Sequence, residues 1–359
     1  MLSRRAFIGT AAAAGTMAGT GWAALGGPAY LSAARWPDGR FALCGLADDG
    51  TILFGLDLPG RGHAAAAHPR RAQAVAFARR PGGFALVIDC ASGAVVRELA
   101  APSGRHFYGH GAFSVDGSRL YTTENDFDAA RGVIGVWDAE GGYGRVGEFA
   151  SGGVGPHEIL RLPASDVLAV ANGGIETHPD AGRAKLNLPF MRPNLAYLDP
   201  EGETLEIVEH PDAWRRNSIR HLAASADGRI AAAFQWQGEA ADTPPLLALH
   251  ERGGQFRYLS AGEGEERRMQ GYAGSTAFSD DGALVAFTAP RGGALQVFDA
   301  TSGAHRATLP MTDVCGIAAA AGGFAVTSGG GAVAWAGRDG LHRLALDRIA
   351  WDNHLVRIG

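Results

Sequence analysis

One pattern recurs along this chain: a short apolar run, a turn of Asp-Gly or Gly-Gly type, and a second apolar run. It stands in "LSAARWPDGRFALCGL", "AVAFARRPGGFALVID", "GHGAFSVDGSRLYTTE", "PHEILRLPASDVLAVAN", "IRHLAASADGRIAAAFQ", "GSTAFSDDGALVAFTA" and "CGIAAAAGGFAVTSGG". The turns fall near residues 39, 83, 117, 166, 228, 282 and 322. Asp-Gly between two apolar runs is the strongest short-range hairpin signal. Several copies continue into a third run that ends at an Asp-rich turn, as in "GVIGVWDAEGG", "PNLAYLDPEGE" and "ALQVFDATSGA". The chain has 53 glycines and almost no amphipathic helical period, so the recurring unit is built of strands. A four-stranded unit repeated at this spacing is a propeller blade. The expectation is an all-β fold, a seven-bladed β-propeller over residues 24–359, with six or eight blades as the alternative. A strand from one end of the mature chain is expected to close the last blade.

The residues before the repeat read as a targeting segment, 1–23. "SRRAFIG" places Arg4 and Arg5 ahead of a weakly apolar run, and small residues at Gly21 and Ala23 suit cleavage after Ala23. With Ser3 and Phe7 this is the pattern of twin-arginine export, which carries folded proteins; an ordinary secretory signal is the alternative. No apolar run reaches the ~18 residues of a membrane span, so a soluble periplasmic protein is expected. A net charge of -5 with mixed signs offers no basic stripe for nucleic acid. Cys44, Cys90 and Cys315 show no Cys-x-x-Cys spacing, and an odd number leaves at least one free thiol.

In a propeller the first strand of each blade lines the channel, so copies aligned on their turns can be compared position by position. Seven residues before the turn glycine stand His110 and His221, and the apolar pattern of the fourth copy puts His157 there. Ser275, Cys315 and Ser32 take that register in the sixth, seventh and first copies. Three imidazoles at one register in consecutive blades should converge at one mouth of the channel. The ends of the second strands fall on the same face and bring Glu124, Asn125, Asn172, Gln235 and Gln237. The long polar loop "NGGIETHPDAGRAKLNL" begins there, too broken for a helix and too polar for a strand. A loop of this length in a compact fold is disordered or functional, and its position favours function. The other histidines (His63, His68, His210, His250, His305, His342 and His354) lie outside the register and are expected at the surface.

Neutral imidazoles with carboxylates nearby suit iron, copper, zinc or nickel, and a three-histidine site with an open position is exchangeable or catalytic. His106 and His178 are candidates to complete such a site. Glu124, Glu158 and Glu176 are candidate ligands or orienting partners. Cys315 reads as a soft ligand or a small buried residue. Arg183 and Lys185, beside Asn187, suit an anionic ligand or a solvated loop face, and Arg291 in "PRGG" can join them. Two other readings stay open: a polar plug of histidines bonded to backbone and water, and a pocket for an organic ligand. The chain has no Gly-x-Ser-x-Gly elbow, no nucleotide-binding loop and no c-type haem attachment motif.

The stretches "FYGHGAFSVDGSRLYTTENDFDAARGVIGVWDA", "VGPHEILRLP", "VANGGIETHPDAGRAKLNL", "SIRHLA" and "DVCGIA" resemble an uncharacterised family of exported bacterial proteins, domain of unknown function fifteen-thirteen. The resemblance covers nearly all of the mature chain. It implies a periplasmic propeller, commonly twin-arginine exported, encoded beside imelysin-like and di-haem proteins in loci suggestive of iron acquisition. It supplies no catalytic residue. His106, Tyr108, His110, Glu124, Asn125, His157, Glu158, Asn172, Glu176, His178, Arg183, Lys185, Asn187, Arg220 and His221 all stand in the stretches that carry it. Three functional expectations follow: a metal-binding propeller assisting iron or copper uptake, a docking platform for the neighbouring proteins without its own metal, and a metal-dependent oxidase or lyase.

Overall fold

The computed structural model describes residues 21–79 and 83–358, and the twin-arginine stretch lies outside them. Seven four-stranded antiparallel sheets form a ring, a seven-bladed β-propeller. The innermost strands, in ring order, are Ala350–Arg357, Gly62–Ala67, Arg105–Phe113, Pro156–Arg161, Asn217–Ala224, Ser275–Phe278 and Val314–Ala320. The C-terminal strand is therefore the inner strand of blade one. It pairs with Tyr30–Arg35 and joins the two ends of the chain.

Turn chemistry explains why the hairpins form where they do. In blade three the Ser114 hydroxyl and the Ser118 backbone N–H both donate to the Asp116 carboxylate, at 2.7 and 2.9 Å. Gly117, at φ 77, supplies the left-handed residue that the turn requires. Ser279 and Asp281 repeat the motif in blade six. At the turns after the third strands, Asp89, Asp138, Asp199 and Asp299 accept backbone N–H groups two residues on.

The core lies between blades. Ala169, Leu195 and Tyr197 of blade four pack with Ile219, Ala232 and Phe234 of blade five, and the other blade pairs repeat this arrangement. Second strands such as Leu168–Asn172 are buried throughout, and their many alanines let neighbouring sheets approach. Outer strands such as Val95–Leu99 expose most residues. Among the described residues one α-helix occurs, Glu263–Arg268.

Two of the seven turns differ from the expected alignment. The turns near 39 and 83 join second to third strands, Tyr30–Arg35 to Phe41–Leu46 and Gln73–Ala78 to Ala85–Asp89. The other five join first to second. The same apolar–turn–apolar signature serves both hairpins of a blade, so the repeat alone does not tell them apart. Ser32 accordingly lies on a second strand, where its hydroxyl donates to the carbonyl of His354 at 2.8 Å. His354 and His63 stand on the inner strands of blades one and two.

Candidate metal centre

Six of the seven inner strands slip against their neighbours at one level of the channel. The shifts fall between Gly62 and Ala65, Phe107 and Gly111, Pro156 and Glu158, Ile219 and His221, and Val314 and Ile317, and opposite Ser32 and Ala34 in blade one. Ser275–Phe278 pairs without a shift. A bulge breaks the period-two alternation of a strand and re-aims its side chains. Consecutive residues therefore both reach the channel. Arg220 and His221 line one cavity, while His157 faces that cavity and Glu158 the one on the opposite side.

The result is a cluster of five imidazoles from five consecutive blades: His354, His63, His110, His157 and His221. Adjacent ring centroids stand between 4.6 and 5.1 Å apart. Two sets of three, His63/His110/His354 and His110/His157/His221, each present ligand nitrogens all within 4.8 Å of one another. His110 belongs to both. Its Nε2 lies 3.2 Å from Nε2 of His63. Imidazole nitrogens held ~2.0–2.1 Å from a tetrahedral ion stand roughly 3.3 Å apart, so the observed spacing suits one shared cation.

Glu158 sets the ring orientations. Its Oε2 accepts the Leu222 backbone N–H at 3.1 Å and lies 3.2 Å from Nδ1 of His221. Its Oε1 lies 3.8 Å from Nδ1 of His110. A carboxylate on Nδ1 places the proton there and leaves Nε2 as a lone-pair donor. Burial holds all five imidazoles below their ordinary range. His221 and His354 are pushed to about 3, with Arg220 adding to the effect on His221 and His221 to that on His354. His63, His110 and His157 move the same way, first by burial and then through neighbouring charges. The rings are thus neutral and ligand-competent at neutral pH. Burial pushes the Glu158 carboxyl up to about 7. Nε2 of His354 and Nδ1 of His63 are buried without a protein hydrogen-bond partner. Orphaned nitrogens in a set of neutral imidazoles fit a transition-metal site.

The remaining sequence candidates divide between the cavity, the loop and the blades. Tyr108, Arg183, Lys185, Arg220 and Gln235 line the cavity beside His63, His157 and His221. His106 and His178 lie outside both histidine sets and both pack on Phe127, the first stacked and the second edge-on. His106 meets Asn125 at 3.2 Å, and Asn125 also donates to the carbonyl of Thr177 at 3.0 Å. His178 caps the short turn Pro179–Ala181, accepting the Asp180 N–H, and lies 3.4 Å from Asp128. Glu124 turns into blade three, where Arg145 donates to both its oxygens at 2.7 and 3.0 Å. Asn172 is buried among Ser151 and Asn194. The Cys315 thiol stands at the level of the ring in blade seven, directed at the carbonyls of Thr327 and Trp351. Burial pushes it up to about 12.

The polar loop is a stapled structure. Asn187 accepts the Glu176 N–H at 2.8 Å and donates to the carbonyl of Gly174 at 2.9 Å, which closes the loop on itself. Lys185 donates to Gln237 of blade five.

His63 and His354 were missed because they fall outside the turn alignment. His63 heads the apolar run "HAAAA", and His354 lies in the alternating stretch "IAWDNHLVRI". Neither strand is followed by an Asp-Gly or Gly-Gly turn: "HPRRA" joins Gly62–Ala67 to Gln73–Ala78, and Ala350–Arg357 pairs with Tyr30–Arg35, far from it in sequence. Contrary to the surface expectation, His68, His210 and His250 are also buried. His68 accepts the N–H groups of Arg70 and Arg71, and His210 and His250 meet the hydroxyls of Tyr258 and Tyr197.

Among solved structures the chain is similar to Kuenenia stuttgartiensis hydrazine synthase, at 15% identity and TM-score 0.57, over 94% of this chain and 100% of that one. A chain of the mitotic checkpoint complex matches at 12% identity and TM-score 0.57, over 78% of each. At these identities the likeness is one of fold. No curated protein is significantly similar in sequence. The family model described as "Protein of unknown function (DUF1513)" matches residues 56–358, and the chain belongs to that family.

Proposed function

We propose that this protein is a periplasmic metal-binding propeller that assists acquisition of iron or copper, the ion being held by histidines in its central channel. The observation that carries this reading is the convergence of five neutral imidazoles, four of them buried and His157 half-buried, in two sets that share His110. Such a set prefers first-row transition ions, with zinc inside the same chemistry. Glu158 serves as the carboxylate that fixes His221. Export rests on Arg4 and Arg5, and the link to uptake rests on the family resemblance. Elemental analysis of protein exported through its own signal and purified without chelator tests the reading. One equivalent of iron, copper or zinc, lost in the His110/His157/His221 triple alanine variant, is the expected result. Unchanged metal content in that variant would overturn it.

A second reading, a docking platform for a partner protein, draws on Phe190, which is 82% exposed just beyond the stapled loop, with Leu186 nearby at 52%. Apolar side chains exposed together are a mark of interaction sites. It predicts partner capture that is lost in Phe190→Ser, with no stoichiometric metal in either protein.

A further inference from the structure

The cavity beside the imidazoles has a volume of about 200 Å³, and its lining carries four cationic side chains and no carboxylate. Arg79 follows the second strand of blade two, Arg220 comes from the inner strand of blade five, and Arg183 and Lys185 come from the stapled loop of blade four. The charges therefore surround the cavity instead of meeting at one point. Asp352, next in sequence to the lining residue Asn353, pairs with Arg61 and Arg79 at 2.5 and 2.8 Å, so one of the four cations already has a carboxylate partner. Arg291 lies 4.3 Å over the ring of Tyr272, which also lines the cavity. Lys185 makes its bond to the neutral amide of Gln237. Its ammonium is held below the ordinary range by partial burial and then by Arg220 and Arg291.

Like charges gathered round a concave site raise the local concentration of anions. They also oppose a bare metal cation. We propose that this cavity binds a small polycarboxylate. Such an anion spans cations on several sides, which a compact tetrahedral phosphate does not, and arginines engage its carboxylates in pairs of hydrogen bonds. The anion site stands on its own charges. That the anion shares its ion with the imidazoles, through its remaining oxygens, rests on the metal reading above.

The test is calorimetric titration of chelator-stripped protein, returned to chelator-free buffer of low ionic strength, with citrate, and with acetate and inorganic phosphate as comparison probes. Saturable binding of one citrate is expected, at least roughly tenfold tighter than acetate or phosphate. Arg183→Gln/Lys185→Gln changes two exposed side chains, and an unchanged melting temperature confirms its fold. It should weaken citrate at least about tenfold, while Arg183→Lys/Lys185→Arg retains most of the binding. No saturable citrate binding up to about 10 mM, citrate binding untouched in the glutamine variant, or phosphate binding as tight as citrate would each overturn the proposal. Because the protein is metal-free throughout, failure here leaves the metal reading standing. Citrate binding by a protein that takes up no metal, or whose metal content is unchanged in the His110/His157/His221 triple alanine variant, would isolate the opposite failure, that of the metal reading.

Discussion

The Nε2 atoms of His63 and His110, 47 residues apart in the chain, lie 3.2 Å from one another in the channel. Two nitrogens at that spacing share either one proton or one ion. The choice between them is measurable, because only an ion makes the site depend on the other imidazoles. His110→Ala removes the histidine common to both sets and should abolish stoichiometric metal. His63→Ala and His354→Ala should weaken binding, whereas His106→Ala and His178→Ala should leave it at wild-type level. Metal affinity of the five variants, by calorimetry or competition with a chromophoric chelator, checks the ranking. Loss in His106→Ala equal to that in His110→Ala would move the site out of the channel.

Glu158 tests the positioning role separately from ligation. Glu158→Gln keeps the shape and can still accept the Leu222 N–H, but it removes the carboxylate that fixes the tautomer of His221. Loss of an orienting partner of this kind costs about 10–100-fold in metal affinity, with stoichiometry retained. The metal-bound absorption or EPR spectrum should shift as well. An unchanged affinity and spectrum would make Glu158 a structural residue alone.

How much of this was legible in the sequence depends on what each signal encodes. The blade count was readable because Asp-Gly and Ser-x-Asp-Gly turns are local chemistry, written in adjacent residues such as Ser114, Asp116 and Gly117. His110, His157 and His221 were readable because three first hairpins happen to share a turn register. His354 was not, since blade one is closed by residues 350–357 and its inner strand has no neighbouring turn in sequence; nor was His63, since the turn after its strand, "HPRRA", has no glycine to align on. The bulges were also invisible, because a register slip at His157 depends on what pairs across the sheet. Glu124 and Asn172 show the converse error. Each stands at the end of a second strand, as expected, but is turned to structural partners: Glu124 to Arg145 within its blade, and Asn172 to Asn194 of its own blade and Ser151 of the connection from blade three.

The three cysteines give a test of burial. Cys44, Cys90 and Cys315 are free thiols, all buried, and burial pushes each up to about 12. At pH 8 that leaves about one thiolate in ten thousand, and the thiolate is the reactive form. Native protein should show no colour with a thiol-reactive disulfide reagent, and three equivalents should appear in denaturant. Rapid labelling of one cysteine in the native state would show a more open blade at that position.

Glu266 predicts a pH dependence of stability that does not involve the channel. It lies in the short helix Glu263–Arg268, where it accepts the Ala261 N–H at 3.0 Å with one oxygen while the other is buried without a partner. Burial raises its carboxyl from 4.5 to about 7. A group raised on folding holds a proton that the unfolded chain has already released, so its contribution is fully present below pH 4.5 and is lost as pH rises to about 7. The loss is on the order of 3 kcal/mol, because each tenfold change in proton affinity is worth about 1.36 kcal/mol. Glu266→Gln removes the titration and keeps the acceptor for Ala261. The variant should therefore be more stable than wild type at pH 8, with the advantage shrinking toward pH 5. Urea unfolding at both pH values measures it. A wild-type-to-variant difference that is the same at pH 5 and pH 8 would mean that water reaches Glu266 in solution and that its proton leaves at an ordinary pH.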